Sequence, residues 1–432
     1  MLSLLALSIG SLLVWPSRWN IQAIYQIGFS IAAYIIPICF TRATSLYPPA
    51  VTHTYATILA IGASSYVTGL FLSFNSKFSL IKSRYTAFTR TNSGLTRKTA
   101  QLTKIIFVFI LAIAIFSFID LGFVPALAKD PFAAKFFRGN YQASVIADLA
   151  YRLSQTAGFI ILPLAIALWL DTKNFVYVLI AFSITVMYTL MLTRAPIGYA
   201  ALLVFGLYCA KNNILKYYVT LNIIVVGFGS ALYPIIAYLF GAHGYAIARS
   251  HETLWAAVAS GAPDVSDQLG LLARFARTGA YTHGLTFIGG LVPGNFKWNP
   301  SVWSVLVGTS GSLHQINSGG LRIPGPLMAY TAFGYPAILP VMLLSGLING
   351  TFLRQAKAIL VTNDTLYTRK SLALAIYIYF GLFISDFYNL TYLGLLSALF
   401  VLPFMYKIRL SASRCAAPPL PSFGHHLTAA VE

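Results

Sequence analysis

The sequence predicts an all-α integral membrane protein of about eleven transmembrane helices, with one large external loop that carries short helices. Three observations support this fold class. Hydrophobic residues make up 58% of the chain and charged residues only 9%, whereas a soluble domain carries roughly 25% charged residues. The mean hydropathy of the 432 residues is +0.74. The apolar residues form a series of segments, and the one long hydrophilic interval is 241–323.

The apolar segments are judged against the roughly 20 residues that a helix needs to cross a membrane. Three of them, 2–14, 157–170 and 196–210, are short for that purpose. The predicted spans, in chain order, are 2–14, 21–40, 55–74, 105–127, 157–170, 175–192, 196–210, 217–240, 326–353, 372–387 and 391–406.

The distribution of Lys and Arg predicts the orientation, because cytoplasmic loops carry an excess of both. The loop 75–104 contains seven basic residues and no acid, so it is predicted to be cytoplasmic. Alternation from this loop places the C-terminus inside and places 128–156, the turn at Arg194 and the long loop outside. The formal net charge of +19 is explained in this way and does not indicate a nucleic-acid partner.

The chain therefore divides into four regions. Residues 1–240 are N-terminal transmembrane helices, 241–325 are the large external loop, and 326–410 are the C-terminal transmembrane helices. The tail 411–432 is predicted to be a disordered cytoplasmic end. The three cysteines and the few acids are scattered and form no metal-ligand pattern, so neither a metal nor a cofactor is predicted.

The long loop is predicted to be ordered and to pack back over the membrane mouth. A connection of about eighty residues is usually functional or disordered, and the aromatic content of this one argues against disorder. Short helices are predicted around 250–259 and 265–277, because Leu269, Leu272 and Ala276 recur at helical spacing.

Arg194 is the first candidate functional residue, since it stands between two apolar segments at or just inside the outer interface. Such an arginine either snorkels to the interface or binds an anion. Its planar guanidinium suits a phosphate, and Pro196 predicts a helix N-terminus that adds positive partial charge at the same place.

The second candidate group is Arg249, His251 and Glu252. On a helix, Arg249 and Glu252 are one turn apart and form a simple ion pair. The alternative is an arginine for a phosphate beside a general base, which would be His251 or Glu252.

The third candidate group lies in the glycine- and proline-rich stretch 284–326. Irregular backbone near a membrane is tolerated where it lines a polar cavity, and Lys297, His314 and Arg322 are candidates for lining one. The alternative is a surface loop with solvated charges. No phosphate-binding loop, zinc-ligand pattern or nucleophile elbow occurs in the chain.

At these residues the chain resembles the Wzy-type polymerases of O-antigen and oligosaccharide repeat units and, more loosely, the related O-antigen ligases. One shared feature is an arginine that opens a span, in Thr193-Arg194-Ala195-Pro196-Ile197-Gly198, and another is the late external loop with scattered Arg and His. A third is the course from Leu291-Val292-Pro293-Gly294-Asn295-Phe296-Lys297 to Phe333-Gly334-Tyr335-Pro336. The chain departs from the family at Gly294, where many relatives have Arg or a bulkier residue.

The resemblance implies a metal-independent membrane glycosyltransferase of the bacterial inner membrane, with the long loop in the periplasm. Its substrate would be an oligosaccharide repeat unit on undecaprenyl diphosphate, and a flippase and a chain-length regulator would be its protein partners. The transfer needs cations for the leaving diphosphate and a base for the sugar hydroxyl. The candidate cations are Arg194, Arg249, Lys297 and Arg322, and the candidate bases are His251, Glu252 and His314.

Two other functions are compatible with the sequence. An O-antigen ligase performs the same chemistry with a lipid A core as the acceptor. A transporter or flippase for the lipid-linked oligosaccharide belongs to a different class and predicts functional charges at mid-membrane and internal repeats.

Overall fold

The structure is a computed structural model, and every regular element in the residues that it describes is helical. Those residues are 2–35, 38–39, 47–75, 92–135, 137, 139–193, 195–228, 265–279, 281–288, 298, 303–304, 307, 323–360 and 387–388.

The helices are numbered along the chain, independently of the predicted spans. They are α1 (Leu2–Val14), α2 (Ile21–Ser30), α3 (Pro49–Asn75), α4 (Asn92–Leu121), α5 (Pro131–Lys135), α6 (Val145–Thr172), α7 (Val176–Leu190), α8 (Ala195–Lys211), α9 (Leu215–Phe228), α10 (Val265–Thr278), α11 (Leu285–Ile288), α12 (Gly325–Phe333) and α13 (Tyr335–Leu360). A π-helical turn, Ile31–Ile35, continues α2.

Among the described residues, four helical stretches are long and apolar enough to cross a membrane. They are Pro49–Asn75, Ala100–Leu121, Val145–Thr172 and Tyr335–Arg354. Shorter apolar helices, including α1 and α7, accompany them. By helix length and hydropathy the chain is a multi-pass membrane protein, and the predicted all-α membrane class is confirmed.

Local signals at helix ends explain several boundaries. The Asn20 side chain accepts a hydrogen bond from the Ala23 amide at the start of α2, and Ser144 caps α6 through the Ala147 amide in the same way. Lys173 adopts a left-handed conformation with φ of 57° and ends α6. Polar residues therefore interrupt the apolar runs where the chain must turn.

Glycines bring α3 and α13 into close parallel contact. A Cβ added at Gly69 would overlap the Leu343 carbonyl, and one added at Gly346 would overlap the Tyr66 carbonyl. Gly350 lies against Ser73 in the same contact. Small residues spaced four apart allow backbones in a membrane to approach in this way.

Because α3 and α13 are parallel, their ends define two faces of the bundle. The C-terminal end of α3 leads into the basic loop 75–104, and the Lys357 ammonium of α13 lies 5.1 Å from the centre of the Phe74 ring. Trp15, which follows α1, stacks on the same ring at 6.1 Å. We call this end of the bundle the inner face and the opposite end, where α3 begins at Pro49, the outer face.

Helix α6 is longer than predicted. The sequence predicts a span at 157–170, whereas the helix covers Val145–Thr172. The difference arises because Asp148 and Arg152 lower the hydropathy of the first turns. In the structure these two side chains form an i,i+4 ion pair with N and O 2.7 Å apart, which is compatible with a helix that emerges from the membrane.

The predicted single span 326–353 is wrong in one respect, because it is divided into α12 and α13 at Gly334. Gly334 has a φ of 81°, which a residue without Cβ adopts at no steric cost. The start of α12 lies inside the bundle, where Pro326 packs on Gly62, thirteen residues into α3. Helix α12 thus rises from the interior to the outer face, and α13 returns across the bundle.

The remaining predicted spans extend beyond the structural description. The spans 372–387 and 391–406 lie outside the described residues, apart from Phe387. The predicted tail 411–432 also lies outside them. Phe387 and Tyr388 are buried, and the Phe387 carbonyl accepts a hydrogen bond from the Gly325 amide at 2.9 Å.

Candidate functional site at the outer face

A helix from the long hydrophilic interval 241–323 lies on the outer end of α3. The Tyr55 hydroxyl donates a hydrogen bond of 2.5 Å to Oε1 of Gln268 in α10, and both side chains are buried. The apolar side of α10, with Leu269, Leu272 and Phe275, is also buried. The predicted helix at 265–277 is therefore confirmed, and it packs on the outer end of α3. The predicted helix at 250–259 lies outside the described residues.

The chain after α10 is tied to the outer end of α12 by its backbone. The Thr282 amide donates to the Thr331 carbonyl at 3.0 Å, and the His283 amide donates to the Ala332 carbonyl at 3.1 Å. These bonds occupy carbonyls that the end of a helix otherwise leaves without partners.

Aromatic rings fill the space between α10 and α12. The Phe275 ring lies 5.1 Å from Tyr281, 5.8 Å from Tyr330 and 6.3 Å from Trp303, measured between centroids. Tyr281 is 41% exposed. A tyrosine of this kind, apolar at one end and wet at the other, suits both a membrane interface and a sugar surface.

The exposed side of α10 is basic. Arg274 and Arg277 are exposed, and neither forms an ion pair with a carboxylate among the described residues. Arg277 stands in the last turn of α10, where a cation also interacts favourably with the helix dipole. The outer face therefore offers two exposed guanidinium groups on α10 and an exposed aromatic ring, Tyr281, in the chain that follows it.

A second set of polar contacts in the outer half of the bundle involves Thr193, the residue before Arg194 in the chain. The Gln155 side-chain amide donates to the Thr193 hydroxyl at 3.0 Å, and the Thr193 amide donates to the Tyr188 carbonyl at 2.8 Å. The Tyr188 hydroxyl in turn donates to the Gln155 carbonyl. These bonds hold Thr193 against Gln155 of α6, ten residues after the start of that helix at Val145. Helix α8 begins two residues after Thr193, at Ala195.

The residues that the sequence predicts as site residues are not among those that the structure describes. Arg194, Arg249, His251, Glu252, Lys297, His314 and Arg322 all lie outside the described residues. Their grouping remains a prediction. Two described residues that adjoin them in the chain are Thr193, which accepts a hydrogen bond from Gln155 of α6, and Ile323, which is buried.

Arg274 and Arg277 are not among the anion-binding residues predicted from the sequence. The sequence does indicate that both side chains are exposed, because neither lies on the apolar side of α10 that contains Leu269, Leu272 and Ala276. Tyr55 was missed because a tyrosine inside an apolar segment gives no indication of its partner.

Among the described residues, no cluster of three or more His, Cys, Asp or Glu side chains has the arrangement of a metal site. The arrangement at the outer face is instead one of guanidinium groups, hydroxyls, amides and aromatic rings. It can bind a phosphate through charge and a sugar through hydrogen bonds and ring stacking.

Comparison with protein-family models, with curated proteins and with solved structures finds no match to this chain in any of the three.

Proposed function

We propose that the protein polymerises oligosaccharide repeat units carried on undecaprenyl diphosphate into a surface polysaccharide. The reaction takes place at the periplasmic face of the bacterial inner membrane. The full chain then has about eleven transmembrane spans, and its outer face is the periplasmic face.

One observation carries the proposal. The amphipathic helix α10 is anchored on the outer end of α3 and exposes Arg274 and Arg277, and the exposed Tyr281 follows three residues after this helix. A lipid-linked diphosphate places its charge at this depth, between the acyl chain and the sugar. Guanidinium forks bind such phosphates with charge-assisted hydrogen bonds.

The chemistry assigns a role to each candidate. A hydroxyl of the acceptor sugar attacks the anomeric carbon of the growing chain, and the bond between that carbon and the diphosphate oxygen breaks. His251, Glu252 or His314 accepts the proton of the hydroxyl. Arg194, Arg249, Lys297 and Arg322 stabilise the negative charge that develops on the departing diphosphate.

The test uses a strain without this protein, complemented with single variants, and the polymer ladder is measured on a gel. Arg194→Ala is expected to abolish chain extension while the protein stays inserted and abundant. Arg194→Lys is expected to restore it only in part, because lysine keeps the charge but lacks the planar fork. Arg152→Ala is the matched control, since Arg152 is another arginine of the outer half and already pairs with Asp148.

The same experiment separates the alternatives. A strain that lacks a polymerase attaches single repeat units to the surface, one that lacks a ligase attaches none, and one that lacks a flippase retains the precursor inside. A normal ladder with Arg194→Ala would contradict the proposed role of Arg194. Retention of precursor inside the strain without this protein would favour the transporter.

A further inference from the structure

Two layers of hydrogen-bonded polar side chains cross the interior of the helix bundle. In the layer nearer the inner face, the side-chain amides of Gln22 and Asn349 both donate to the Tyr66 hydroxyl, at 3.3 Å and 2.8 Å. In the layer nearer the outer face, the Ser30 hydroxyl bonds to the hydroxyl groups of Ser8, at 3.1 Å, and of Tyr388. All these side chains are buried and none is charged.

A third set of polar groups lies between these layers, because the helices place it there. On α2, Gln26 stands four residues after Gln22 and four before Ser30. On α1, which runs antiparallel to α2, Ser11 is one turn nearer the inner face than Ser8. On α13, which runs from the outer to the inner face, Ser345 is one turn nearer the outer face than Asn349.

In the part of the chain that the structure describes, the side-chain polar atoms of this middle layer have no protein partner. Gln26 is 0% exposed, and neither its amide nitrogen nor its amide oxygen has a hydrogen-bond partner among the described residues. The same holds for the hydroxyl oxygens of Ser11 and Ser345 in the described part of the chain. Buried polar groups in native proteins are nearly always paired, and water fills the need where protein does not.

We propose that ordered water occupies this middle layer, bound by Gln26, Ser11 and Ser345. The amide supplies two N–H donors and an acceptor, and each hydroxyl can donate and accept, so the partners match the roughly three hydrogen bonds that a buried water makes. The water joins the two hydrogen-bonded layers into one polar line through the bundle. This inference is independent of the proposed reaction.

The first test is a double-substitution cycle on the purified full-length protein in lipid nanodiscs, with Tm as the measurement. Gln26→Met keeps the side-chain shape but removes the amide, and Ser345→Ala removes the hydroxyl. Each is expected to lower Tm by about 2–4 °C, because a bound water loses a partner. The two together are expected to lower Tm by less than the sum, because both act through the same water.

Two results would overturn the inference. An unchanged or higher Tm for Gln26→Met would mean that the amide is dry, since an apolar near-isostere relieves an unpaired buried group. Strictly additive losses would mean that Gln26 and Ser345 share no water.

The second test needs no substitution, so it decides the matter even if a variant fails to fold. X-ray pulses convert bound water to hydroxyl radicals, which oxidise adjacent methionines. Met342 is 0% exposed and stands three residues from Ser345, whereas Met187, which is 4% exposed, packs between α6 and α7. Met342 is expected to be oxidised faster than Met187, and an equal or slower rate would overturn the inference.

Discussion

At the scale of single residues, glycines determine how closely the parallel helices α3 and α13 pack. Gly69 of α3 and Gly346 of α13 each face backbone atoms of the other helix rather than side chains. A side chain at either position has no room, because backbone cannot move aside as a flexible side chain can. The contact therefore depends on the absence of a single methyl group on each helix.

Gly346→Ala is expected to destabilise the protein by about 1–3 kcal/mol or to prevent its insertion, as overpacking of a tight contact does. Thermal unfolding in detergent measures the loss. Ala60→Val is the control, because Ala60 is exposed on α3. An equal loss in both variants would show that the α3–α13 contact tolerates a Cβ.

Also at this scale, Arg274 and Arg277 are expected to contribute to anion binding at the outer face. Replacing both by Gln removes two charges from the exposed side of α10 without changing its buried side. We expect shorter polymer in the complemented strain and an unchanged amount of protein. Arg152→Gln is expected to leave the ladder normal, and a normal ladder in the double variant would remove these two residues from the site.

At the scale of elements, α10 shows what sequence periodicity can predict. Its apolar residues recur at helical spacing, so its existence and its buried side could be predicted from the sequence. Its anchor could not, because Tyr55 and Gln268 are more than two hundred residues apart in the chain and the bond between them follows from tertiary packing.

The division between α12 and α13, by contrast, could not be predicted from hydropathy. Gly334 and Pro336 punctuate the sequence there, yet the continuous apolar composition around them favours a single span. The start of α12 inside the bundle is possible because Gly62 leaves room for Pro326 and the Phe387 carbonyl accepts the Gly325 amide. A helix such as α12, which begins inside the bundle, depends on tertiary contacts that a hydropathy pattern cannot predict.

The hydrogen bond between Tyr55 and Gln268 is expected to hold α10 against the bundle. Tyr55→Phe removes a bond worth about 1 kcal/mol, so trypsin should cleave after Arg274 and Arg277 about fivefold faster. Mass spectrometry of the released peptides measures the rate.

Tyr188→Phe is the matched control for this prediction, since it also loses a buried tyrosine hydrogen bond, to the Gln155 carbonyl, away from α10. Equal cleavage rates in Tyr55→Phe and in the unaltered protein would mean that the bond does not anchor α10.

At the scale of the whole molecule, the parallel course of α3 and α13 relates the basic loop to the external loop. Helix α3 ends at the inner face at Asn75, the first residue of the basic segment 75–104, and α10 lies on the outer end of the same helix. The distribution of Lys and Arg predicts that these two segments lie on opposite sides of the membrane. Their attachment at opposite ends of α3 agrees with that prediction.

The orientation itself is tested by reporter fusions. Fusions after Arg90 and Lys370 are expected to be active only with a cytoplasmic reporter, and fusions near Asp267 only with a periplasmic one. A cytoplasmic signal near Asp267 would place the candidate site in the wrong compartment for a lipid-linked periplasmic substrate.

The most direct test of the account is polymerisation by the purified protein. The protein is reconstituted into liposomes with the lipid-linked repeat unit extracted from the strain that lacks it, and the glycolipid is followed on a gel. The account predicts a ladder of longer chains that remain attached to the lipid diphosphate, and no ladder with Arg194→Ala. A glycolipid that stays a single repeat unit in the presence of the unaltered, folded protein would contradict it.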